Sequence, residues 1–167
     1  MKTPEDVQDV YLKPGEFHWG SGKTQVRTLL GSCVSFCLWH PAKLIGGMCH
    51  YMLPKRGGES DFTNPDGRYA EEAMELFLRQ IHAAKTKPRD YIVKIFGGAT
   101  MSIHLDNQNS VSVRNVETAY KLVQQHMLNV TSENVGGTSY RKIHFEIWSG
   151  NVWLYRQDLK LSAGVKP

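Results

Sequence analysis

The apolar positions of the chain fall into short runs divided by turn residues, which is typical of a β-rich fold. These runs predict strands at residues 10–13, 25–30, 34–39, 44–52, 91–96, 130–135, 142–148 and 152–155. A long polar stretch at residues 55–67 contains Gly57-Gly58 and Asn64-Pro65. It predicts an exposed loop, and loops of this length in small domains often carry function.

Two other segments repeat apolar residues every three or four positions, which predicts amphipathic helices. The first stripe, within residues 69–84, consists of Ala70, Ala73, Met74, Phe77, Leu78 and Ile81. The second consists of Val116, Ala119, Tyr120, Val123 and Met127, and we expect Arg114-Asn115 to cap this helix. Strands at both ends of the chain favour an α+β fold: a mixed, largely antiparallel sheet sandwich packed with two to three helices.

Length and composition predict a single domain over residues 1–167, because a 41% hydrophobic content is enough for one core. The net charge of +4 is spread without a block of like charge, which argues against a nucleic-acid binder. Three cysteines are an odd, sparse set typical of reduced thiols, and the first residues lack a secretion signal. Apolar runs fall far short of the ~20 residues that cross a bilayer. We therefore expect a soluble cytoplasmic protein without direct membrane insertion.

The candidate chemistry lies in the hairpin predicted from residue 34 to residue 52. If Pro41 and Ala42 are the two central turn residues, the register places Cys33 directly opposite His50. Directly opposed residues of antiparallel strands have Cβ atoms about 5 Å apart, close enough for an imidazole to reach a thiol. Cys33 and His50 are therefore predicted to be a nucleophile and its base.

This pairing suits the hydrolysis of an amide through a thioester, since a deprotonated thiol attacks an amide carbonyl. Gly31 and Ser32, just before the thiol, could offer backbone N–H groups to the oxyanion of the intermediate. An imidazole base also needs a group that fixes its tautomer. Thr28, on the strand that leads to Cys33, is the hydroxyl we select for that task.

Other interpretations of the cysteines are open from the residues alone. Free cysteine is among the most buried residue types, so Cys33 could be a small core residue, as we expect Cys37 and Cys49 to be. A metal site built from the three cysteines with His50 or His40 is disfavoured, because the tight C-x2-C pairs of zinc sites are missing. We expect no metal and no cofactor.

The motif Leu30-Gly31-Ser32-Cys33-Val34, followed by Gly46-Gly47-Met48-Cys49-His50, strongly resembles the chemoreceptor glutamine deamidase family, CheD. Later motifs of that family are matched in order along nearly the whole chain: Arg68-Tyr69-Ala70, Lys94-Ile95-Phe96-Gly97-Gly98-Ala99, Arg114-Asn115, Gly136-Gly137, Arg141-Lys142 and Phe145. The resemblance implies a protein-glutamine glutaminase that converts glutamines of methyl-accepting chemoreceptors to glutamates. It assigns the nucleophile to Cys33 and the general base to His50.

The resemblance also implies a threonine that orients the histidine. Some members have one more residue between this threonine and the cysteine, at the position of Arg27 here, and Thr28 is the nearest hydroxyl. Two other departures are Cys49, where many members have Asn or Ala, and Asn134, where an acidic residue is common.

The resemblance implies as partners the cytoplasmic helices of chemoreceptors and, in addition, the chemotaxis phosphatase CheC. The alternative function is therefore a non-catalytic adaptor that binds CheC or receptors. The presence of both Cys33 and His50 favours the enzyme. A thiol protease is disfavoured, because no long substrate groove is indicated. We expect the loop at residues 55–67 to form part of the surface that docks the substrate.

Overall fold

The computed structural model describes residues 4–101 and 109–158, and within these ranges it contains nine strands and two α-helices. The strands are β1 (Gln8–Tyr11), β2 (Phe17–Ser21), β3 (Thr24–Leu30), β4 (Val34–His40), β5 (Ile45–Cys49), β6 (Ile92–Gly97), β7 (Asn129–Val135), β8 (Ser139–Glu146) and β9 (Val152–Asp158). The helices are α1 (Ala70–Ala83) and α2 (Val111–Gln125), and a short 3-10 helix spans Pro88–Asp90.

The strands form two mixed sheets. One has four strands in the order β1-β3-β8-β9, and the other has five in the order β2-β5-β4-β6-β7. Pairing is antiparallel except between β1 and β3 and between β6 and β7. The predicted α+β class, with a mixed and largely antiparallel sandwich, is confirmed.

The two helices, the five-stranded sheet and the four-stranded sheet form three layers. One hydrophobic cluster lies between the helices and the five-stranded sheet, and a second lies between the two sheets. Alternate residues of β4, such as Phe36 and Leu38, face the helices and pack against Phe77 of α1 and Ala119 of α2. The residues between them face the other way: Cys37 packs in a second cluster that closes the two sheets together. Any polar side chain on that second face is therefore buried between the sheets.

Strand β2 was not predicted from the sequence. Its apolar residues Phe17 and Trp19 pack on the helix-facing cluster, whereas His18 and Gly20 alternate with them. Because only two apolar residues mark this edge strand, the period-two pattern is too short to distinguish it from a loop. A tight turn follows this strand, and Gly22 adopts φ +68° there.

The predicted register of the central hairpin is wrong by two residues. His40 faces Ile45, and Cys37 faces Met48, so the turn has four residues instead of two. The N–H of Leu44 donates to the carbonyl of His40 (2.9 Å) in a single helical turn. The N–H of Lys43 donates to Nδ1 of the His40 ring (3.2 Å), which holds the longer turn closed.

Candidate active site

A shift of two residues keeps every side chain on its face of the sheet, because the side-chain period of a strand is two. The observed register places Ser35 directly opposite His50, and Cys33 lies one diagonal step from His50 on the same face. This face is the one that carries Cys37 and Met48 into the cluster between the sheets. The structure thus gives Cys33 and His50 a common face without opposing them directly.

Thr28 reaches His50 from the other sheet. Its side chain points inward from β3, and the Thr28 Oγ1 atom lies 2.6 Å from Nδ1 of His50. Both residues are almost fully buried, with 1% and 2% of their surfaces exposed. The hydroxyl proposed from the sequence is therefore in hydrogen-bond contact with the ring.

The tautomer of His50 follows from a third atom. Thr28 has one hydroxyl proton, and the structure directs it at the carbonyl of Leu12 (2.8 Å), which can only accept. The hydroxyl oxygen must then accept a hydrogen bond from His50, which requires the proton of the neutral ring to be on Nδ1. Nε2 is left with a free lone pair, which is the form that a general base needs.

The turn before β2 holds the backbone of His50. The N–H of Gly15 donates to the His50 carbonyl (2.7 Å), and the His50 N–H donates to the carbonyl of Glu16 (3.1 Å). The Glu16 carboxylate in turn accepts the N–H of Lys13 (2.8 Å). Burial lowers the pKa of His50 to about 4, although the charge of Glu16 opposes this. His50 is consequently neutral at pH 7.

Cys33 directly precedes β4, where a glycine at the end of β6 allows that strand to come close. The N–H of Gly98 donates to the Cys33 carbonyl (2.8 Å), and the N–H of Ala99 donates to that of Gly31 (2.9 Å). Gly97 adopts φ +113°, and a Cβ at this position would lie 2.2 Å from the Cys33 carbonyl oxygen. The end of β6 therefore fixes the backbone on both sides of the thiol.

The resting state of the site is a neutral thiol beside a neutral imidazole. Cys33 is half-buried, and burial raises the pKa of its thiol, with the Ser32 hydroxyl opposing this effect. A raised thiol pKa together with a lowered imidazole pKa disfavours a preformed thiolate–imidazolium pair. A nucleophilic role for Cys33 would then require its deprotonation in the same step as the attack.

Asn115 is a residue of this site whose part the sequence did not indicate. Ser110, and not Arg114-Asn115, caps α2: its hydroxyl accepts the N–H of Val113. The fully buried Asn115 amide instead donates to the carbonyls of Ser32 (3.1 Å) and Met52 (2.9 Å). One side chain thereby ties the residue before Cys33 to the segment after His50.

Tyr51 reinforces this tie from the neighbouring position, because its hydroxyl donates to the Asn115 carbonyl (2.6 Å). Its backbone also exchanges two hydrogen bonds with Val34, of 3.0 and 3.1 Å. More than sixty residues separate Asn115 from both carbonyls that it binds. The only available sequence signal was the Arg114-Asn115 pair, which reads equally well as a helix cap.

The other two cysteines lie in the core, on opposite faces of the five-stranded sheet. Cys37 packs between the sheets and Cys49 packs toward the helices, where its sulfur accepts the N–H of Phe36 (3.4 Å). Burial raises the pKa of Cys49 to about 12. Across residues 4–101 and 109–158, no three His, Cys, Asp or Glu side chains are grouped so that they could hold a metal ion. Within the same part of the chain, no helix has the length and apolar content of a membrane span.

Comparison with known proteins identifies one family. The model of the family described as CheD chemotactic sensory transduction matches residues 52–156, which is more than half of the chain. A probable chemoreceptor glutamine deamidase CheD 3 of Dechloromonas aromatica is 47% identical over 153 residues, covering 91% of this chain and 89% of the relative.

Two other relatives have similar coverage. A probable chemoreceptor glutamine deamidase CheD of Pseudomonas fluorescens is 43% identical over 164 residues, covering 96% of this chain and 92% of its own. A probable chemoreceptor glutamine deamidase CheD 1 of Leptospira interrogans is 37% identical over 163 residues, covering 93% and 96%. The similarity thus extends over nearly the full length of both partners in each comparison.

Proposed function

The chain belongs to the CheD family, and on that premise we propose that it is a protein-glutamine deamidase acting on chemoreceptors in the cytoplasm. It hydrolyses the side-chain amide of particular glutamines, leaving glutamate and ammonia. The observation that carries the proposal is the buried hydrogen bond between Thr28 and His50, on the face that also holds Cys33. This arrangement prepares an uncharged base for an uncharged thiol.

In the first half of the reaction, Nε2 of His50 removes the proton of Cys33 as the sulfur attacks the glutamine amide carbon. The carbonyl becomes an oxyanion, which the backbone N–H groups near Gly31 and Ser32 stabilise. The imidazolium then gives its proton to the amide nitrogen, the carbon–nitrogen bond breaks, and ammonia leaves. The product is a thioester between Cys33 and the former glutamine side chain.

In the second half, His50 removes a proton from water as the water oxygen attacks the thioester carbon. The carbon–sulfur bond breaks, and the proton returns to the sulfur, so that Cys33 and His50 are both restored. Thr28 takes no part in bond making. Its oxygen accepts the Nδ1–H bond, which keeps the ring in one tautomer and stabilises the imidazolium that forms twice in each cycle.

The proposal is tested by incubating a chemoreceptor cytoplasmic fragment with this protein or with Cys33→Ala, followed by peptide mass mapping. We expect a gain of about 1 Da at discrete glutamines only with the unmodified protein, since replacement of an amide by a carboxylate needs the nucleophile. Circular dichroism of Cys33→Ala serves as the control for folding. Equal mass gain with both proteins would reject Cys33 as the nucleophile.

The alternative function is an adaptor that binds the phosphatase CheC or the receptors without catalysis. It would need neither a free Nε2 lone pair nor a thiol on the same face, and for that reason the enzyme is preferred. Receptors that keep their mass while they bind this protein tightly would favour the adaptor. Co-purification with CheC would then identify the partner.

A further inference from the structure

A cleft next to the catalytic segment has the chemistry of a docking surface. It lies between the chain that follows His50 and the exposed side of α2, and its volume is about 420 Å³. Its walls include Leu53, Pro54, Lys55, Arg114, Glu117 and Lys121. We refer to these six residues as the cationic cleft.

The charge of this cleft is unbalanced. Lys55, Arg114 and Lys121 are exposed cations, and Glu117 is the carboxylate that faces them. None of the three cations takes part in an ion pair within the part of the chain that the structure describes. Their charge is consequently available to a ligand that carries carboxylates.

The cleft is connected to the nucleophile by short steps. Asn115, adjacent to Arg114, binds the carbonyl of Ser32 and that of Met52, so the cleft begins beside the residue that precedes Cys33. Met52 and Leu53 are 37% and 39% exposed, and Leu53 adds apolar surface to the wall of the cleft. A ligand bound in the cleft therefore lies next to the segment that Asn115 ties to the residue before Cys33.

We propose that the cationic cleft docks an acidic face of the receptor helix whose glutamine is modified, an inference that rests on the function proposed above. Side chains three, four or seven positions apart share one face of a helix. Carboxylates at such spacing from the target glutamine would meet Lys55, Arg114 and Lys121 while the glutamine reaches Cys33. Selection among glutamines then depends on neighbouring acids as well as on the amide.

The test uses the full chain with Lys55→Glu and Lys121→Glu combined, assayed on a chemoreceptor cytoplasmic fragment. We expect KM to rise about tenfold or more with kcat little changed, because the reversed charges act on association and not on the chemistry. The kcat/KM of the unmodified protein should also fall as salt is added, and that of the variant should not. The rate at which iodoacetamide modifies Cys33 should be the same in both.

Arg89→Glu is the matched control, since it removes one exposed cation far from the site. Arg89 lies just before β6, whose first residue pairs with Trp39, whereas its last residue pairs with Val34 next to Cys33. This variant should keep the KM and salt dependence of the unmodified protein. Equal KM values in the double variant and in Arg89→Glu would overturn the proposal.

Binding separates a failure of the cleft from a failure of the enzymatic function. If no form deamidates the fragment, fluorescence anisotropy of a labelled fragment is compared between the unmodified protein and the double variant. Weaker binding by the variant would support the cleft although the deamidase proposal had failed, and equal binding would reject the cleft. Retained fragment binding together with a loss of binding to phosphatidylserine vesicles would assign the cleft to a membrane surface and overturn the proposal.

Discussion

The Thr28 hydroxyl has one proton, which it donates in a hydrogen bond to the carbonyl of Leu12. The direction of this bond decides which nitrogen of His50 is protonated, and hence which nitrogen can act on Cys33. Three residues from distant parts of the chain therefore set the state of one ring. The chemistry proposed for the site depends on that state.

Replacing Thr28 by Val removes the hydroxyl and keeps the shape of the side chain. We expect kcat to fall about 10- to 100-fold with KM nearly unchanged, because the ring loses the partner that fixes its tautomer. Thr28→Ser, which keeps the hydroxyl, should retain most of the activity. Steady-state kinetics on a receptor fragment measures both, and an unaltered kcat in Thr28→Val would show that another group orients His50.

The thiol of Cys33 should react as a half-buried neutral thiol. Because burial raises its pKa, the alkylation rate should still be climbing at pH 8.5, the ordinary pKa of a free cysteine. The measurement is the rate of iodoacetamide modification against pH, followed by mass spectrometry of the Cys33 peptide. A plateau between pH 5 and pH 8 would instead reveal a preformed thiolate–imidazolium pair.

The residue types of the candidate site, and the face of the sheet that Cys33 and His50 share, could be predicted from the sequence. Cys33, His50 and Thr28 carry the groups that we propose to react or to orient the base, and alternation along strands is enough to place the first two on one face. Asn115 could not be found this way, since its partners Ser32 and Met52 are brought to it only by the packing of α2 on the five-stranded sheet. Long-range packing leaves no periodic signal in the sequence.

At the scale of elements, the central hairpin shows why an incorrect register still gave a correct face. Two-residue hairpin turns usually contain Gly or Asn, and residues 41–44 contain neither. The turn is instead four residues long, and the ring of His40 holds it closed by accepting the N–H of Lys43. An error of one residue would have moved His50 away from Cys33. The error was two residues, so Cys33 and His50 were still predicted on the same face.

Asn115 should couple α2 to Ser32 and Met52, which flank Cys33 and His50. Asn115→Asp places a carboxylate oxygen against two carbonyl groups, and we expect a loss of about 2–4 kcal/mol in the free energy of unfolding. The folded protein should also have a lower kcat. Urea denaturation and kinetics on the folded fraction measure the two effects, with the exposed Asn64→Asp as control. Lower stability with an unchanged kcat would mean that Asn115 acts on the fold alone.

Several α1 side chains hold the loop at residues 55–67, and the buried carboxylate of Glu72 makes the most contacts, alongside Glu71, which accepts from Ser60, and Arg79, which donates to the Phe62 and Thr63 carbonyls. Glu72 accepts both Arg56 Nε (2.5 Å) and Arg56 Nη2 (2.6 Å), as well as the N–H groups of Asp61 and Asp66. The hydrogen bonds from Arg56 lower the pKa of Glu72 to about 2. The carboxylate consequently stays charged, and the loop stays tied, down to strongly acidic pH.

Glu72→Gln should release this loop. An amide of the same shape cannot accept four hydrogen bonds, so we expect trypsin to cleave after Lys55 and Arg56 faster than in the unmodified protein. Glu75→Gln on the same helix removes an exposed ion pair with Arg79 but leaves the hydrogen bonds from Arg79 to the Phe62 and Thr63 carbonyls, and it should leave the cleavage rate unchanged. Equal protection of the loop in Glu72→Gln would contradict its dependence on this carboxylate.

At the scale of the whole molecule, the order of strands in the two sheets was not predictable from the pattern of apolar residues. β1 pairs in parallel with β3, and β2, which lies between them in sequence, belongs to the other sheet. Alternation identifies a strand and its buried face but gives no information about its neighbours. The α+β class followed from element types, whereas the pairing that brings Thr28 over His50 required the structure.

Burial of neutral His50 should make the stability of the fold depend on pH. Its pKa is about 4 in the folded protein and 6.5 when exposed, so the unfolded chain binds the proton first as the pH falls. The free energy of unfolding should therefore be highest above pH 6.5 and should decrease toward pH 4, by about 3 kcal/mol in all. His18, His126 and His144 also have lowered pKa values and contribute in the same direction.

The contribution of His50 is the difference in pH dependence of the free energy of unfolding between the unmodified protein and a variant without His50. The free energy of unfolding, measured by urea denaturation from pH 7 to pH 4, should fall less steeply in His50→Gln than in the unmodified protein. The variant is the control for the other histidines, since it retains all of them. Parallel pH dependences would mean that His50 has the same pKa in the folded and unfolded protein, and would contradict the lowering of its pKa by burial.

The central claim, that Cys33 attacks receptor glutamines and forms a thioester, is tested most directly by trapping that thioester. A chemoreceptor cytoplasmic fragment is incubated with the protein and hydroxylamine, and its peptides are mapped by mass spectrometry. We predict hydroxamates, a gain of about 16 Da, at the glutamines that otherwise become glutamate, and none with Cys33→Ala. Glutamate formation without any hydroxamate, or hydroxamates with Cys33→Ala, would contradict the claim.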